Sequence, residues 1–216
     1  IDAAKKTGAD AVKFQTYRTG DLVLESAAKA DYQNRTTGTG NQFEMLQALE
    51  LPFEVFADLR DHCVDAGIDF MSTAFDPISL DYVASLNPVC LKWPSGELTN
   101  LPLLRQAKAT GLPIMLSTGM GSLEEITAAV EVIESTHPFY NSNLKTSMSP
   151  KTESPKTETP KTETLKTNTP PPLVLLKCTS AYPSPPESMN LLTIPDLGER
   201  FGVPVGLSDH TLGVTV

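Results

Sequence analysis

Short hydrophobic runs alternate with longer amphipathic stretches along most of this chain. The runs are rich in β-branched and aliphatic residues, and they predict buried strands at residues 11–16, 68–73, 89–95, 114–119, 173–179 and 204–210. The stretches between them predict helices at about 54–66, 77–86, 101–110, 122–135 and 188–201. Strands that are each followed by a helix indicate a parallel sheet of the α/β class.

Local signals support these boundaries and narrow the fold. Ser122 and Glu125 have the spacing of a capping box, and Gly67, Gly111 and Gly202 follow predicted helix ends. An open doubly wound sheet would show the same alternation, but its glycine-rich phosphate turn, GxGxxG, does not occur in the sequence. We therefore predict a (β/α)8 TIM barrel. The first eight residues have the pattern of a helix end, and a helix before the first strand implies an earlier strand. We therefore expect an incomplete barrel with strands two to seven visible.

One segment breaks the alternation. Residues 141–172 repeat the motif Pro-Lys-Thr-Glu-Thr and hold six of the 18 prolines but no aromatic residue. Such a composition cannot bury enough apolar surface to offset its conformational entropy, and it predicts a disordered low-complexity insertion. We therefore divide the chain into the first part of the barrel (1–140), the insertion (141–172) and the continued, truncated barrel (173–216).

Composition and charge exclude several classes of function. The chain carries 17 basic and 26 acidic side chains, a net charge of −9, which argues against a nucleic-acid binder or a basic membrane-surface protein. No run approaches the roughly 18–20 apolar residues of a membrane span. Three widely spaced cysteines without a CxxC motif predict buried, reduced thiols. The 34-residue stretch from Arg18 to Leu51 is long for a loop and predicts a substrate lid.

Polar residues gather where the predicted strands end, which is where TIM barrels place their chemistry. Outside the repeat there are only seven lysines, and Lys13, Lys92 and Lys177 lie inside predicted strands. Burying an ammonium group is costly unless an anion compensates it. The lysines therefore predict a phosphate or carboxylate ligand, with an internal Lys–Glu pair as the alternative. The other candidates at these ends are Gln15, Thr73, Ser95, Glu97, Ser117, Ser180, Tyr182, Ser208 and His210.

These strand ends resemble the sialic acid (N-acetylneuraminate) synthase family. Seven motifs stand in the family's order: GADAVKFQTY, QFEMLQALEL, FMSTAFD, LKWPSGELTNLPLL, IMLSTGM, KCTSAYPSP and GLSDHTLG. Family members are (β/α)8 barrels that condense phosphoenolpyruvate with an N-acetylhexosamine, typically N-acetylmannosamine, and release phosphate. A divalent metal, Mn²⁺ or Mg²⁺, polarises the sugar aldehyde. The resemblance implies a cytoplasmic transferase of this type, homodimeric at full length.

The resemblance also implies roles for individual residues. Lys13 and Lys92 would be catalytic and hold phosphoenolpyruvate, and His210 would be one of two metal-binding histidines. Substrate contacts would come from Gln15, Thr73, Ser95, Glu97, Ser117, Ser180, Tyr182 and Ser208. Ser180 replaces an asparagine that is common in the family, and Trp93 is bulkier than the usual residue. Because the family's strand-one acid, second histidine and C-terminal domain would lie outside this sequence, we expect the chain alone to be inactive.

Three alternatives stay open at this point. The same chemistry could act on a legionaminic or pseudaminic acid precursor, since the sugar pocket depends partly on residues outside the sequence. A deoxy-octulosonate type synthase is a more distant possibility, against which the CTSAYP and PSGELTN motifs argue. A catalytically inactive barrel that uses the repeat as an interaction arm is the third, although packing alone would not require Lys13, Lys92, Ser117 and His210 together.

Overall fold

The computed structural model describes residues 1–30, 33–34, 37–135 and 172–213. Within this part of the chain, six strands form one sheet, in which every neighbouring pair is parallel. The strands are β1 (Ala11–Thr16), β2 (Asp69–Ala74), β3 (Leu91–Trp93), β4 (Ile114–Ser117), β5 (Leu173–Cys178) and β6 (Val205–Ser208). All six predicted strands are confirmed. Of the predicted insertion at 141–172, all residues but the last lie outside the described part of the chain.

The predicted helices are also confirmed. The helices are α1 (Asp2–Lys6), α2 (Thr19–Leu22), α3 (Gln42–Gln47), α4 (Phe53–Ala66), α5 (Pro77–Ser85), α6 (Leu101–Ala109), α7 (Leu123–Glu134) and α8 (Thr193–Phe201). Ser122 and Glu125 form the predicted capping box of α7. Gly67 and Gly202 end α4 and α8 in the left-handed conformation that glycine adopts without strain. None of these helices, within the described residues, is long and apolar enough to cross a membrane.

Two predicted boundaries were wrong. The strand predicted at 89–95 is shortened to β3, which Pro94 follows directly, and proline cannot donate a hydrogen bond to a sheet. The helix predicted from residue 188 begins only at Thr193. The residues before it form a short 3-10 helix, Pro186–Ser188, and Asn190 has a positive φ of 44° that interrupts any helix.

The strand order identifies the fold as an incomplete TIM barrel. Each strand pairs with the next one along the chain, in the order β1-β2-β3-β4-β5-β6. A doubly wound sheet reverses its order at a switch point, whereas a barrel winds in one direction. The sheet described here is not closed, and β1 and β6 form its two edges.

Helices cover one face of the sheet, and the opposite face is called the inner face below. Trp93, Leu116 and Leu175 point to the helices and are at most 1% exposed, in one core with Leu104 and Ile133. Burying each of these side chains stabilises the fold by about 1.5–3 kcal/mol. Because side chains alternate along a strand, the residues next to these in sequence point to the inner face.

Candidate active site

Two lysines lie on the inner face. Lys92 donates hydrogen bonds from Nζ to the Ser117 hydroxyl (2.6 Å) and to the Trp93 carbonyl oxygen (3.1 Å). Burial and, to a lesser extent, the positive charge of Lys13 together lower the pKa of Lys92 to about 8. No carboxylate in the described part of the chain lies within salt-bridge distance of either ammonium group. The inner face therefore holds positive charge that the described residues leave uncompensated.

Lys13 is less buried than the sequence predicted. Val12 and Phe14 pack against the helix-side core, so Lys13 between them points to the inner face. Its side chain is exposed because β1 forms an open edge of the sheet. The protein around it still removes enough water to lower the pKa of its ammonium group. Among the described residues, neither Lys13 nor Lys92 forms the internal Lys–Glu pair that was the alternative.

Small polar side chains and one backbone amide lie close together at the ends of β3, β4 and β5. The Gly119 amide donates to the Ser95 hydroxyl (2.9 Å) and to the Cys178 sulfur (3.2 Å), and these two side chains lie 3.0 Å apart. A Cβ atom on Gly119 would lie 2.6 Å from the Ser180 hydroxyl, so any larger residue would force the surrounding side chains to move. We call Ser95, Gly119, Cys178 and Ser180 the cradle. Its hydroxyl and N–H groups are suited to bind an anion.

Neither Gly119 nor Cys178 was predicted as a site residue. The sequence predicts Cys178 as a buried thiol, and all three cysteines are indeed free and buried. The signal for Gly119 is its place directly after the strand end Ser117-Thr118 in the STGM motif. Its function becomes visible only when three chain segments are brought together.

His210 lies beside the cradle, at the end of β6. Ser208 pairs in register with Cys178, which places both on the inner face. A carbonyl can only accept, so His210 donates from Nδ1 to the Thr179 carbonyl oxygen (2.8 Å). In that tautomer the other nitrogen, Nε2, accepts a hydrogen bond from the Ser208 hydroxyl (3.2 Å). The imidazole also stacks on Tyr182, with ring centroids 4.2 Å apart.

This geometry suits one metal ligand but does not form a metal site. Metal-binding histidines commonly donate their second nitrogen to a backbone carbonyl, as His210 does. However, the described ranges bring together no group of three or more His, Cys, Asp or Glu side chains that could hold a metal. His210 therefore fits as a contributor, and further ligands would have to come from elsewhere.

The remaining predicted residues lie around the same face. Gln15 and Thr73 are register partners on the inner face of β1 and β2, two residues closer to the carboxyl ends of the strands than the pair of Lys13 and Met71. Glu97 is held through its side chain and its backbone. Its carboxylate accepts from the side-chain amide of Asn100 (2.7 Å), and its backbone carbonyl accepts from the Trp93 indole (2.8 Å). The structure thus places every residue predicted to bind substrate at the carboxyl end of the sheet.

Two polar residues of the predicted strand ends point the other way. Ser72 bonds to the Thr16 hydroxyl (2.8 Å) on the helix side, and Lys177 donates to the Thr179 hydroxyl (2.8 Å) on that side. The prediction that Lys177 joins the anion site is therefore wrong. Adjacent residues of a strand cannot share a face, and Cys178 occupies the inner one.

Hydrogen bonds join the two ends of the loop that was predicted to be a lid. The Glu50 carboxylate accepts from the backbone N–H (2.8 Å) and the hydroxyl (2.5 Å) of Thr19. The Tyr17 hydroxyl donates to the Leu46 carbonyl oxygen (3.0 Å). Both ends of the stretch 18–51 are thus held together next to β1. Its movement as a lid stays a prediction.

Comparison with known proteins decides the family. The model of the NeuB family matches residues 1–216, the whole chain. The chain belongs to the NeuB family. N,N'-diacetyllegionaminic acid synthase of Legionella pneumophila is 40% identical over 100% of this chain and 53% of its own length. Pseudaminic acid synthase of Helicobacter pylori is 32% identical over 99% of this chain and 54% of its own.

A solved structure agrees with the family assignment. N-acetylneuraminic acid (sialic acid) synthetase from Leptospira borgpetersenii, crystallised with citrate, superposes with a TM-score of 0.70 at 25% identity. The match covers 98% of this chain and 58% of that one. The resemblance to sialic acid synthases is confirmed. This NeuB-family chain spans about half the length of the curated relatives it matches.

Proposed function

We propose that this NeuB-family chain forms part of an enzyme that condenses phosphoenolpyruvate with an N-acetylhexosamine. The product would be a sialic-acid-type sugar acid, with inorganic phosphate released. The observation that carries the proposal is the pair Lys13 and Lys92 beside the cradle. Phosphoenolpyruvate carries close to three negative charges, and a lysine pair with clustered hydroxyl donors is its natural counterpart.

The chemistry follows from the charges on the substrate. C3 of phosphoenolpyruvate bonds to the aldehyde carbon of the open-chain sugar, whose oxygen takes up a proton. Water then adds to the cationic C2 and loses a proton, and the C2–O bond to phosphate breaks. Lys13 and Lys92 would hold the phosphate and carboxylate of the substrate throughout the reaction. Ser117, Ser208 and the cradle would donate hydrogen bonds to the same groups.

The sugar would lie toward the rim. Glu97 is fixed by Asn100 and Trp93, and Tyr182 is fixed against His210, so both can hold a sugar hydroxyl or N-acetyl group in one orientation. A divalent cation such as Mn²⁺ or Mg²⁺, when bound, would polarise the sugar aldehyde as a Lewis acid. His210 would supply one of its ligands through Nε2.

A legionaminic acid precursor is the second candidate sugar. The relatives from Legionella pneumophila and Campylobacter jejuni, at 40% and 34% identity, are both N,N'-diacetyllegionaminic acid synthases. This favours a diacetylated substrate over N-acetylmannosamine. The cytoplasmic location, the homodimer and the inactivity of this chain on its own remain predictions.

Calorimetric titration of the chain with phosphoenolpyruvate, pyruvate and inorganic phosphate tests the proposal. A site built for both charged ends should bind phosphoenolpyruvate at least about 10-fold more tightly than either part, because each part leaves one set of donors unused. Equal affinities for phosphoenolpyruvate and inorganic phosphate would contradict the proposal and leave only a general anion site.

A further inference from the structure

Lys177 is a buried lysine that the proposed reaction does not use. It lies on the helix side of β5, where Leu175 joins the main core, and it is 6% exposed. Burial lowers the pKa of its ammonium group. No carboxylate of residues 1–30, 33–34, 37–135 or 172–213 forms a salt bridge with it. A methionine would fill the same space without this cost, so the amine has a role other than packing.

The amine holds Thr179. Lys177 donates from Nζ to the Thr179 hydroxyl (2.8 Å), and that hydroxyl lies 3.4 Å from the Ser188 carbonyl oxygen, to which it donates in turn. Thr179 is the first residue after β5. Its side chain is therefore fixed on the helix side, at the carboxyl end of the sheet.

The backbone of Thr179 holds His210. Its carbonyl oxygen accepts the Nδ1 proton of the imidazole at 2.8 Å and also the Ser184 hydroxyl at 3.2 Å. The nitrogen that carries the proton is set by the partner of the other nitrogen. A Thr179 carbonyl in this position thus keeps Nε2 unprotonated and directed to the inner face beside Ser208.

We propose that Lys177 is a positioning residue for His210, which acts from the opposite face of the sheet through the side chain and carbonyl of Thr179. The value of this arrangement for catalysis rests on the proposed function, but the orientation of His210 does not. Without the amine, the Thr179 side chain keeps only the longer bond to Ser188, and only the Ser184 hydroxyl holds its carbonyl besides His210, so the carbonyl direction is less fixed. His210 then exchanges between its two neutral tautomers.

Long-range ¹H–¹⁵N NMR of the neutral imidazole, which distinguishes its two tautomers, tests the proposal. The NMR signals of His210 are assigned as those that disappear in His210→Asn. We expect one Nδ1–H tautomer in the wild type and a mixture of both in Lys177→Met and Thr179→Val. Thr179→Ser, which keeps the hydroxyl, should restore the single tautomer. Lys108→Met, a lysine substitution in the helix layer, should leave it unchanged.

Chemical denaturation separates positioning from folding. Because the pKa of Lys177 is lowered by burial, Lys177→Met should not reduce the free energy of unfolding at neutral pH even though the tautomer changes. If Lys177→Met does not fold, Thr179→Val compared with Thr179→Ser decides. An unchanged tautomer in the folded variants would overturn the proposal. Failure of the wild type to bind phosphoenolpyruvate would instead contradict the proposed function and leave the positioning role standing.

Discussion

Lysines on the two sides of the sheet have opposite surroundings. Lys108, in the helix layer, donates to the Val132 carbonyl (3.0 Å) and to the carbonyl and hydroxyl of Ser135 at the end of α7. Three oxygens at the negative end of a helix accept hydrogen bonds from its ammonium group, although burial still lowers its pKa. Lys92, on the inner face, has one hydroxyl and one carbonyl, and it faces a second lysine. The first lysine is bound within the protein, and under the proposed function the second is available to an anionic ligand.

The largest expected effect is the difference in phosphoenolpyruvate affinity between Lys92→Met and Lys108→Met. Lys92→Met should weaken phosphoenolpyruvate binding by roughly 30-fold or more, because losing one partner of a buried charge pair costs about 2 kcal/mol or more. Lys108→Met should bind with wild-type affinity but unfold more easily, by about 1–2 kcal/mol, since three acceptors lose their donor. Calorimetry and urea denaturation measure the two effects. Similar affinities for both variants would remove the distinction between the two lysines.

The cradle should respond to a single methyl group. In Gly119→Ala the new Cβ would lie within 3.0 Å of the Ser95, Cys178 and Ser180 side chains, so the cradle must open. We expect phosphoenolpyruvate binding to fall by about 10-fold, as for the loss of one charge-assisted hydrogen bond. Gly96→Ala is the matched control, because no atom lies within 4 Å of its Cβ position. Equal loss in both variants would show that the cradle does not contact the ligand.

The pH dependence of binding should follow Lys92. Its pKa of about 8 in the free protein means that the ammonium form declines above that pH. Only this form attracts the anion, so affinity should fall by about 10-fold between pH 7 and pH 9. Lys92→Met should lack this decline. A wild-type affinity that is flat over this range would exclude Lys92 as the responding group.

The stability of the free chain should change with pH in the opposite direction. The unfolded state binds its proton up to the ordinary lysine pKa of 10.5, whereas folded Lys92 releases it near 8. The unfolded state thus holds more protons between these values, and folding becomes more favourable as pH rises from about 8 to 10.5.

The smallest effect should come from the helix layer. Ser122→Ala removes one half of the capping box of α7 and should lower the free energy of unfolding by about 1 kcal/mol. Phosphoenolpyruvate affinity should stay at the wild-type value, because α7 contributes to stability and not to the inner face. Thermal denaturation and one titration check both parts. A change in affinity would show that the helix layer and the site are coupled.

The sequence predicted the fold well because the fold depends on patterns that are local in the chain. Apolar runs such as those of β2 and β5, the capping box at Ser122 and the glycines after α4 and α8 each follow from a few neighbouring residues. The lysines of the site were also found this way, since a charge inside an apolar strand is visible without any partner.

What the sequence could not show depends on register and on distant segments. Lys177 and Lys92 look alike in sequence, but they point to opposite faces because the register of β5 and β6 places Cys178 inward. Gly119 was not recognised because its close approach to Ser95 and Ser180 joins three strand ends. The roles that the family resemblance gave to individual residues stay predictions. The structure adds the hydrogen bond from His210 Nδ1 to the Thr179 carbonyl oxygen, which joins two segments 31 residues apart and cannot be seen in the sequence.

The pKa of Lys92 with and without ligand tests the central claim most directly. NMR titration of its side-chain nitrogen in the free chain should give a pKa near 8, because burial and Lys13 oppose the charge. Saturating phosphoenolpyruvate should raise this pKa by at least about one unit, since the anion supplies the charge that the protein lacks. An ordinary lysine pKa in the free chain, or no change on adding phosphoenolpyruvate, would contradict the account.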